Sequence, residues 1–149
     1  MKALIQRVAK SIVQEKNQTI GSIGKGLVIF LGVKKGDGKK QAEMLAEKTV
    51  NLRIMSDQNG KMNLSLKDAG AEILVVSQFT LCADTRRGRR PSFMDATEPD
   101  LAEELYLYYI QCLGKQGVGK IAAGRFGAYM KVEIINDGPV TIMLDAEEE

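Results

Sequence analysis

Three hydrogen-bonding side chains stand at the end of a continuous apolar stretch of the chain. Residues 73–76 are four consecutive aliphatic residues, and Ser77, Gln78 and Thr80 come immediately after them. A continuous run of this kind predicts a strand at 73–81 that is buried on both faces. Polar groups at the end of a buried strand cost stability unless they are paired. They therefore either bind a ligand in a pocket or only fix the strand end, and both interpretations stay open.

The absence of histidine limits the chemistry that these side chains could perform. It removes histidine-activated serine and cysteine nucleophiles in their usual form, and zinc sites that need imidazole. A nucleophilic Thr80 would need a lysine or Asp84 as its general base, and the local spacing favours neither. Proton transfers would then come from carboxylates, lysine, the backbone or the substrate, and a nucleophile is the less favoured role for Thr80.

The alternation of side chains along a strand adds a constraint on the same segment. In a regular strand Ser77 and Phe79 face one side, whereas Gln78 and Thr80 face the other. If Ser77 and Thr80 line one pocket, the strand must bulge or break near Gln78–Phe79. Such a break would free the backbone N–H groups of Phe79 and Thr80 to bind an oxyanion.

A second candidate is the segment Asn136-Asp137-Gly138-Pro139, which lies between two predicted strands. These residue types are ordinary turn formers, so a simple chain reversal explains them. The alternative is a rigid backbone device, because X-Pro bonds have easy access to the cis form and glycine lets a ligand approach the main chain. Taken alone, the segment favours the turn.

Four arginines, Arg86, Arg87, Arg89 and Arg90, fall within five residues and have no acidic residue among them. A charged run of this kind is usually a solvated face. Its position shortly after the polar strand end also suits a loop that contacts phosphates. The net charge is only +2, so any attraction to nucleic acid would be local.

Length and periodicity predict one domain over residues 1–149, of mixed α/β (α+β) class. Apolar runs predict strands at 2–13, 17–20, 27–33, 53–55, 62–66, 73–81, 130–135 and 140–144. Helical spacing predicts two main helices, at 39–52 and 97–113, the second with Thr97 as its N-cap and Pro99 in its first turn. We expect a strand-rich, barrel-like core with both helices packed on it.

Composition indicates a cytoplasmic protein. No apolar run is long enough to span a bilayer, and the first residues contain no signal-peptide core. Cys82 and Cys112 are too few for a disulfide framework or a thiolate metal site, so free thiols in a reducing compartment are expected.

Two segments of the chain resemble the signature motifs SQFTL and NxGPxT of the D-aminoacyl-tRNA deacylase family. They are Ser77-Gln78-Phe79-Thr80-Leu81 and Asn136-Asp137-Gly138-Pro139-Val140-Thr141. The resemblance covers nearly the whole chain, and it extends to segments 3–8, 21–27, 51–54, 60–66, 83–93 and 124–128. Cys82 departs from the aromatic residue expected after the first motif, but it lies beside the motif and not in it.

The resemblance implies a cytoplasmic homodimer that hydrolyses the ester between a D-amino acid and the 3′ end of tRNA. The pocket would lie at the dimer interface, where Gly138-Pro139, in cis, reaches into the partner's pocket. The main-chain carbonyl groups of this pair would face the chiral carbon and leave no room for an L side chain. Glycine has no side chain to reject, so glycyl-tRNA, including glycine mischarged on tRNA-Ala, would also be cleaved.

The resemblance also implies a role for each site residue. The free 2′-hydroxyl of the terminal adenosine would assist the attack of water, while the protein supplies position and oxyanion stabilisation. The residues assigned to catalysis are Ser77, Gln78, Phe79 and Thr80, with the N–H groups of the last two at the oxyanion. The residues assigned to substrate binding and chiral selection are Arg7, Asn136, Gly138, Pro139, Val140 and Thr141. No cofactor and no metal is implied.

Two other functions stay open at this point. One is a catalytically silent RNA-binding module on the same fold, and the other is a hydrolase that uses Thr80 as its nucleophile. A silent module has no need of intact SQFTL and NxGPxT motifs, which argues against the first. The preferred amino acid and tRNA are not determined by the sequence.

Overall fold

The computed structural model describes residues 1–147, and Glu148 and Glu149 of the predicted domain lie outside the described residues. The strands are β1 (Lys2–Glu15), β2 (Gln18–Ile23), β3 (Gly26–Gly32), β4 (Met55–Ser56), β5 (Met62–Leu64), β6 (Glu72–Ser77), β7 (Ile121–Ala123) and β8 (Lys131–Asp145). The helices are α1 (Lys39–Asn51) and α2 (Pro99–Lys115), and a 3-10 helix spans Phe79–Cys82.

Six of the strands form a strongly curved sheet. β1 pairs antiparallel with β3 along its first half and with β2 along its second half, and β8 runs antiparallel to most of its length. β6 lies between β3 and β7 and is parallel to both. β2 and β7 approach each other, since a Cβ atom at Gly21 would lie 3.1 Å from the carbonyl oxygen of Ala123. The sheet is therefore nearly closed, which confirms the predicted barrel-like core.

Both helices pack on this sheet and against each other, as predicted. Their buried residues recur at helical spacing, and they are Gln41, Ala42, Leu45, Ala46, Thr49 and Val50 in α1 and Leu105, Tyr106, Tyr109, Cys112 and Leu113 in α2. The hydroxyl groups of Thr49 and Tyr109 lie 2.9 Å apart where the helices meet. No helix within residues 1–147 has the length and apolarity needed to cross a membrane.

β3 and β6 form the buried centre of the sheet. The side chains of residues 73–76 are all buried, which agrees with a strand that has no solvent-facing side. The two backbones approach so closely that a Cβ atom at Gly26 would lie 1.9 Å from the carbonyl oxygen of Glu72. This pair continues to the register Leu31–Ser77, and it therefore fixes the point at which β6 ends.

Three of the predicted strands are arranged differently in the structure. The strand predicted at 73–81 ends at Ser77, and the 3-10 helix follows at once. The strands predicted at 130–135 and 140–144 are one strand, β8, because it pairs with β1 on both sides of residues 137–140, with Val8 opposite Asn136 and Gln6 opposite Thr141.

The start of α2 also differs from its prediction. Its N-cap is Glu98, not Thr97, and Pro99 is the first helical residue. The backbone N–H of Thr97 donates a hydrogen bond to the carbonyl oxygen of Val33 at 3.1 Å. This bond holds Thr97 against the end of β3, so the helix begins one residue later.

Candidate active site

The end of β6 opens into a cavity of about 670 Å³. Four parts of the chain line it: the ends of β3 and β6, the segment from Phe93 to Pro99, Ala102 of α2, and the segment from Phe126 to Val132. Most of these side chains are apolar, and Ser77 and Gln78 lie among the polar groups. A cavity of this volume and lining suits one small organic ligand.

The break after Ser77 leaves two backbone donors without acceptors. The N–H of Gln78 donates to the carbonyl oxygen of Leu31 at 2.8 Å, and there the pairing of β6 with β3 ends. Phe79 and Thr80 then begin the 3-10 helix, and the first N–H groups of a helix have no acceptor within it. Neither finds an acceptor outside the helix among the described residues. Both N–H groups are therefore available to a ligand oxygen.

Thr80 is placed differently from its neighbours in the motif. Ser77, Gln78 and Phe79 line the cavity, whereas Thr80 does not. Its Oγ1 atom accepts a hydrogen bond from the side-chain amide of Gln78. Asp84, a base considered for a nucleophilic Thr80, forms an ion pair with Arg86 that lowers its pKa to about 2. A carboxylate with so low a pKa is a poor general base at neutral pH.

Tyr106 of α2 connects two walls of the cavity. Its hydroxyl lies 3.1 Å from the carbonyl oxygen of Val75 in β6 and 3.2 Å from that of Gly124. Its ring also contacts the ring of Phe126, with the centroids 6.0 Å apart. Burial raises the pKa of Tyr106 to about 12, so the hydroxyl stays protonated and remains a donor at neutral pH. The end of β6 and the wall from Phe126 onward are thus held in fixed positions relative to each other.

Residues 136–141 form a bend within β8 that is held by side chains. Oδ1 of Asn136 accepts a hydrogen bond from the N–H of Val140 at 3.3 Å, and its Nδ2 donates to Oγ1 of Thr141 at 3.1 Å. Gln6 on β1 donates to the same Thr141 oxygen at 3.2 Å. The Gly138–Pro139 peptide bond is cis. The bend is therefore a defined shape and not an open loop.

Arg7 supports this bend from β1. It is only 9% exposed, and its Nε donates to the carbonyl oxygen of Asp137 at 3.0 Å. Its Nη1 donates to the carbonyl oxygen of Ile54 at 2.9 Å. A Cβ atom at Gly138 would lie 2.8 Å from Nη2 of Arg7, and Gly138 has a φ of +127°, which side chains rarely adopt. The position therefore strongly favours glycine.

A single chain does not bring the two motifs together. None of residues 136–141 lines the cavity at the end of β6, and both Gly138 and Pro139 are exposed. The apolar side chains of Ile135 and Met143, on either side of the bend in β8, are exposed as well. Within one chain the bend therefore faces outward and not into the cavity.

The four arginines lie on a loop beside the cavity. Asp84 and Ser92 close this loop through backbone hydrogen bonds of 2.8 and 2.9 Å. Arg86 pairs with Asp84 through Nε at 2.9 Å and Nη2 at 2.7 Å, whereas the side chains of Arg87, Arg89 and Arg90 have no partner in the described part of the chain. Phe93, just after the loop, contacts the Phe79 ring edge-on at 5.0 Å, which brings the loop to the cavity mouth.

Sequence analysis missed the apolar walls of the cavity. Phe93, Phe126, Tyr129 and Met130 come from two separate segments, and no periodic spacing connects them. Their only signal was that parts of both segments resemble family sequence. Glu98 is the one carboxylate on the wall, and residues 1–147 contain no group of three or more acidic or cysteine side chains that could hold a metal.

The fold and the cavity together define a small α+β protein that offers free backbone donors beside a ligand-sized cavity at the end of a buried parallel strand. The family model described as D-Tyr-tRNA(Tyr) deacylase matches residues 4–145 of the chain. The protein belongs to this family. The family predicted from the two motifs is thereby confirmed.

Several relatives match over nearly their whole length. The chain is 54% identical over 148 residues to a D-aminoacyl-tRNA deacylase of Dehalococcoides mccartyi strain CBDB1, covering 99% of this chain and 96% of the relative. It is 48% identical over 149 residues to a D-aminoacyl-tRNA deacylase of Natranaerobius thermophilus, covering 100% and 99%. These names agree with the predicted enzyme class, a hydrolase of aminoacyl esters.

Solved structures share the fold. A protein named c-Myc DNA Unwinding Element Binding Protein superposes with a TM-score of 0.94 at 40% identity, covering 99% of this chain and 100% of that chain. A probable eukaryotic D-amino acid tRNA deacylase superposes with a TM-score of 0.78 at 15% identity, covering 96% and 97%. The second likeness shows the common fold alone, and both agree with the predicted α+β class.

Proposed function

We propose that this protein hydrolyses the ester bond of D-aminoacyl-tRNA in the cytoplasm and releases the free D-amino acid and the tRNA. Its family and the names of its relatives support this substrate. The observation that carries the proposal is the cavity at the end of β6, beside which the N–H groups of Phe79 and Thr80 lack acceptors. Ester hydrolysis places negative charge on the carbonyl oxygen, and free N–H groups stabilise that charge.

The proposed mechanism relies on position more than on a protein base. Water adds to the ester carbonyl, the bond to the 3′ oxygen breaks, and a proton passes to that oxygen. The adenosine 2′-hydroxyl next to the ester assists the attack, which suits a cavity without histidine. Ser77 and Gln78 position the substrate from the cavity wall, and Thr80 acts by holding the Gln78 amide. The mechanism requires no metal and no cofactor.

We assign chiral selection to Gly138–Pro139 of a second copy of the chain. The bend is exposed, is held by Arg7 and Asn136, and does not line the cavity of its own chain. A homodimer would cover the exposed apolar side chains of β8 and bring the bend to the partner's cavity. The fixed carbonyl groups of the bend would then exclude an L side chain but admit a D side chain.

Selection by exclusion has a consequence for glycine. Glycine has no side chain for the bend to reject, so we expect cleavage of glycyl-tRNA, including glycine mischarged on tRNA-Ala. Cognate glycyl-tRNA would then need protection from outside or discrimination by the tRNA body.

We further propose that the loop at 84–92 contacts tRNA phosphates. Arg87, Arg89 and Arg90 have no side-chain partner in the described residues, so they supply this contact without breaking an ion pair. Arg86 is already paired with Asp84, and we expect it to shape the loop first and to contact phosphate second.

Three charged tRNAs test the proposal. The protein is incubated with D-Tyr-tRNA, L-Tyr-tRNA and Gly-tRNA, and release of the amino acid is followed. We expect cleavage of the D-tyrosyl and glycyl esters only. Gly138→Ala should reduce the discrimination against L-Tyr-tRNA, and unchanged selectivity would remove the bend from the proposal. A rival, a nucleic-acid-binding protein without catalysis, fits the name of one structural neighbour and predicts binding but no cleavage.

A mixed dimer tests whether the bend acts across the interface. One subunit carries Ser77→Phe, which fills its cavity, and the other carries Gly138→Ala. If the bend acts on the partner, the one open cavity faces an intact bend and rejection of L-Tyr-tRNA is restored. If the bend acts within its own chain, the open cavity has the altered bend and the mixed dimer stays unselective.

A further inference from the structure

Tyr129 is the most exposed large side chain near the cavity. It is 90% exposed and makes no side-chain hydrogen bond or ring contact with another described residue. It lines the cavity at the end of β6 and also a second hollow of about 290 Å³ on its other side. An aromatic ring that stands between two hollows and contacts solvent on most of its surface does not stabilise the core. It is available to a ligand that extends from one hollow to the other.

The second hollow is basic. It is lined by Gln14, Glu15, Lys16, Asn17, Tyr129 and Lys131. Its only carboxylate, Glu15, is paired with Arg125, whereas the ammonium groups of Lys16 and Lys131 have no acidic partner within residues 1–147. Lys16 and Asn17 form the two-residue turn between β1 and β2, both with positive φ, so the backbone that carries Lys16 is held by the hairpin. The hollow therefore combines fixed positive charge with an exposed aromatic face.

The size of the first cavity limits how much of the substrate it can hold. A volume of about 670 Å³ suits one aminoacyl nucleoside, so the nucleotide before it must lie outside, on the rim. Proteins bind single-stranded RNA by stacking bases on aromatic rings and by placing cations near phosphates. Phe79 and Phe93 also line this cavity, but their rings already contact each other. Tyr129 offers a ring that no other side chain of residues 1–147 covers.

We infer that Tyr129 stacks on the base of the nucleotide that precedes the terminal adenosine of the tRNA, and that Lys16 and Lys131 contact the phosphates of this single strand. The inference rests on the proposed function for the identity of the RNA. The inference also gives the path of the 3′ strand: the strand leaves the first cavity over Tyr129 and crosses the basic hollow. Tyr129 is on this account a binding and positioning residue, because it does not touch the reacting ester.

A double-mutant cycle in a binding assay tests the stacking. Kd is measured for uncharged tRNA and for the same tRNA with an abasic penultimate nucleotide, each with the unaltered protein and with Tyr129→Ala. Stacking predicts that the abasic site weakens binding to the unaltered protein by roughly ten-fold. It also predicts that the abasic site causes little further loss in Tyr129→Ala, because the same contact is already absent. Equal losses in both proteins, or no loss in the unaltered one, would overturn the inference.

Matched variants separate the ring from the hydroxyl group and from general effects. Tyr129→Phe should keep the sensitivity to the abasic site, and loss of that sensitivity would show that the hydroxyl, not stacking, makes the contact. Leu107→Ala removes another exposed side chain, which is 55% exposed on α2 and lines neither hollow, and should leave the sensitivity unchanged. Melting temperatures check that all variants are folded.

The charge of the hollow has its own test. Lys16→Gln and Lys131→Gln together should flatten the dependence of log Kd on log salt concentration by about 1.4, since each single-strand phosphate contact contributes about 0.7. An unchanged slope would remove the two lysines from the path. Failure of the proposed function has a different signature, namely no hydrolysis of D-Tyr-tRNA by the unaltered protein, whereas these binding measurements do not depend on turnover.

Discussion

The end of β6 and the bend of β8 are both interruptions of a strand, but they are built in opposite ways. At the end of β6 the pairing stops, and the N–H groups of Phe79 and Thr80 have no acceptor among the described residues. In the bend, Arg7 donates a hydrogen bond to the backbone and Asn136 accepts one from it, and pairing with β1 resumes afterwards. The first interruption leaves donors for a ligand, and the second leaves a rigid shape. A binding role suits the first, and an excluding role suits the second.

The largest expected contrast comes from the same substitution beside the start of β6 and in the bend of β8. Gly26→Ala, beside β6, should cost more than about 4 kcal/mol and prevent folding, because its Cβ would lie 1.9 Å from a backbone oxygen that cannot move without breaking the β3–β6 pair. Gly138→Ala should cost about 1–3 kcal/mol and still fold, because its Cβ meets the end of a side chain and the main penalty is the φ of +127°. Thermal unfolding measures both, and equal losses would contradict the contrast.

Removal of Arg7 should loosen the bend and leave the end of β6 intact. Arg7→Ala takes away a buried cation and the donors to Asp137 and Ile54, and we expect a loss of about 3 kcal/mol in the free energy of unfolding. Arg53→Ala is the matched control, because Arg53 is exposed and should cost less than about 1 kcal/mol. A similar small loss for both would mean that Arg7 does not support the bend. Denaturant unfolding of the two variants gives the comparison.

Thr80→Ala tests whether the end of β6 acts through its backbone. The backbone N–H of residue 80 remains in this variant and only the partner of the Gln78 amide is lost, so we expect turnover of D-Tyr-tRNA to fall by no more than about ten-fold. Thr80→Ser, which keeps the hydroxyl, should be closer to the unaltered protein. Near-complete loss in Thr80→Ala with full activity in Thr80→Ser would instead support the nucleophile mechanism.

The smallest expected effect concerns the arginine loop. The pKa of Asp84 is lowered to about 2 by Arg86, so the ion pair is complete above the usual carboxyl pKa and is lost only as the pH falls toward 2. At neutral pH, Asp84→Asn should release Arg86 from its ion pair. The slope of log Kd against log salt concentration for tRNA binding should then steepen by less than one further phosphate contact would contribute. An unchanged salt slope would mean that Arg86 does not reach phosphate even when it is free.

Several parts of the fold and the site could be predicted because the local sequence determines them. The buried run at 73–76 and the two helical stripes follow directly from periodicity. The break near Gln78 was predicted on the condition that Ser77 and Thr80 line one pocket; the strand does break there, but Thr80 does not line the cavity. The family motifs identified the same segments, and the structure describes both as interruptions in strands.

Other parts depend on contacts between distant residues and could not be predicted. Turn-forming residues at 136–139 indicated a chain reversal, but pairing with β1 and support from Arg7 keep them within one strand. β7 has three half-buried residues, too few to show a period. The start of α2 depends on a bond between Thr97 and Val33, which are separated by more than sixty residues. The aromatic walls of the cavity likewise come together only through tertiary packing.

The pairing of β1 with β8 has a consequence for folding during synthesis on the ribosome. Lys2 lies opposite Asp145, so β1 leaves the ribosome long before β8, its last neighbour in the sheet. Contacts between such distant residues form late, and an open strand edge can meet wrong partners in the interval. On our assignment of chiral selection, a nascent chain would complete the walls around the hydrolytic centre before it had made the part that rejects L-amino acids.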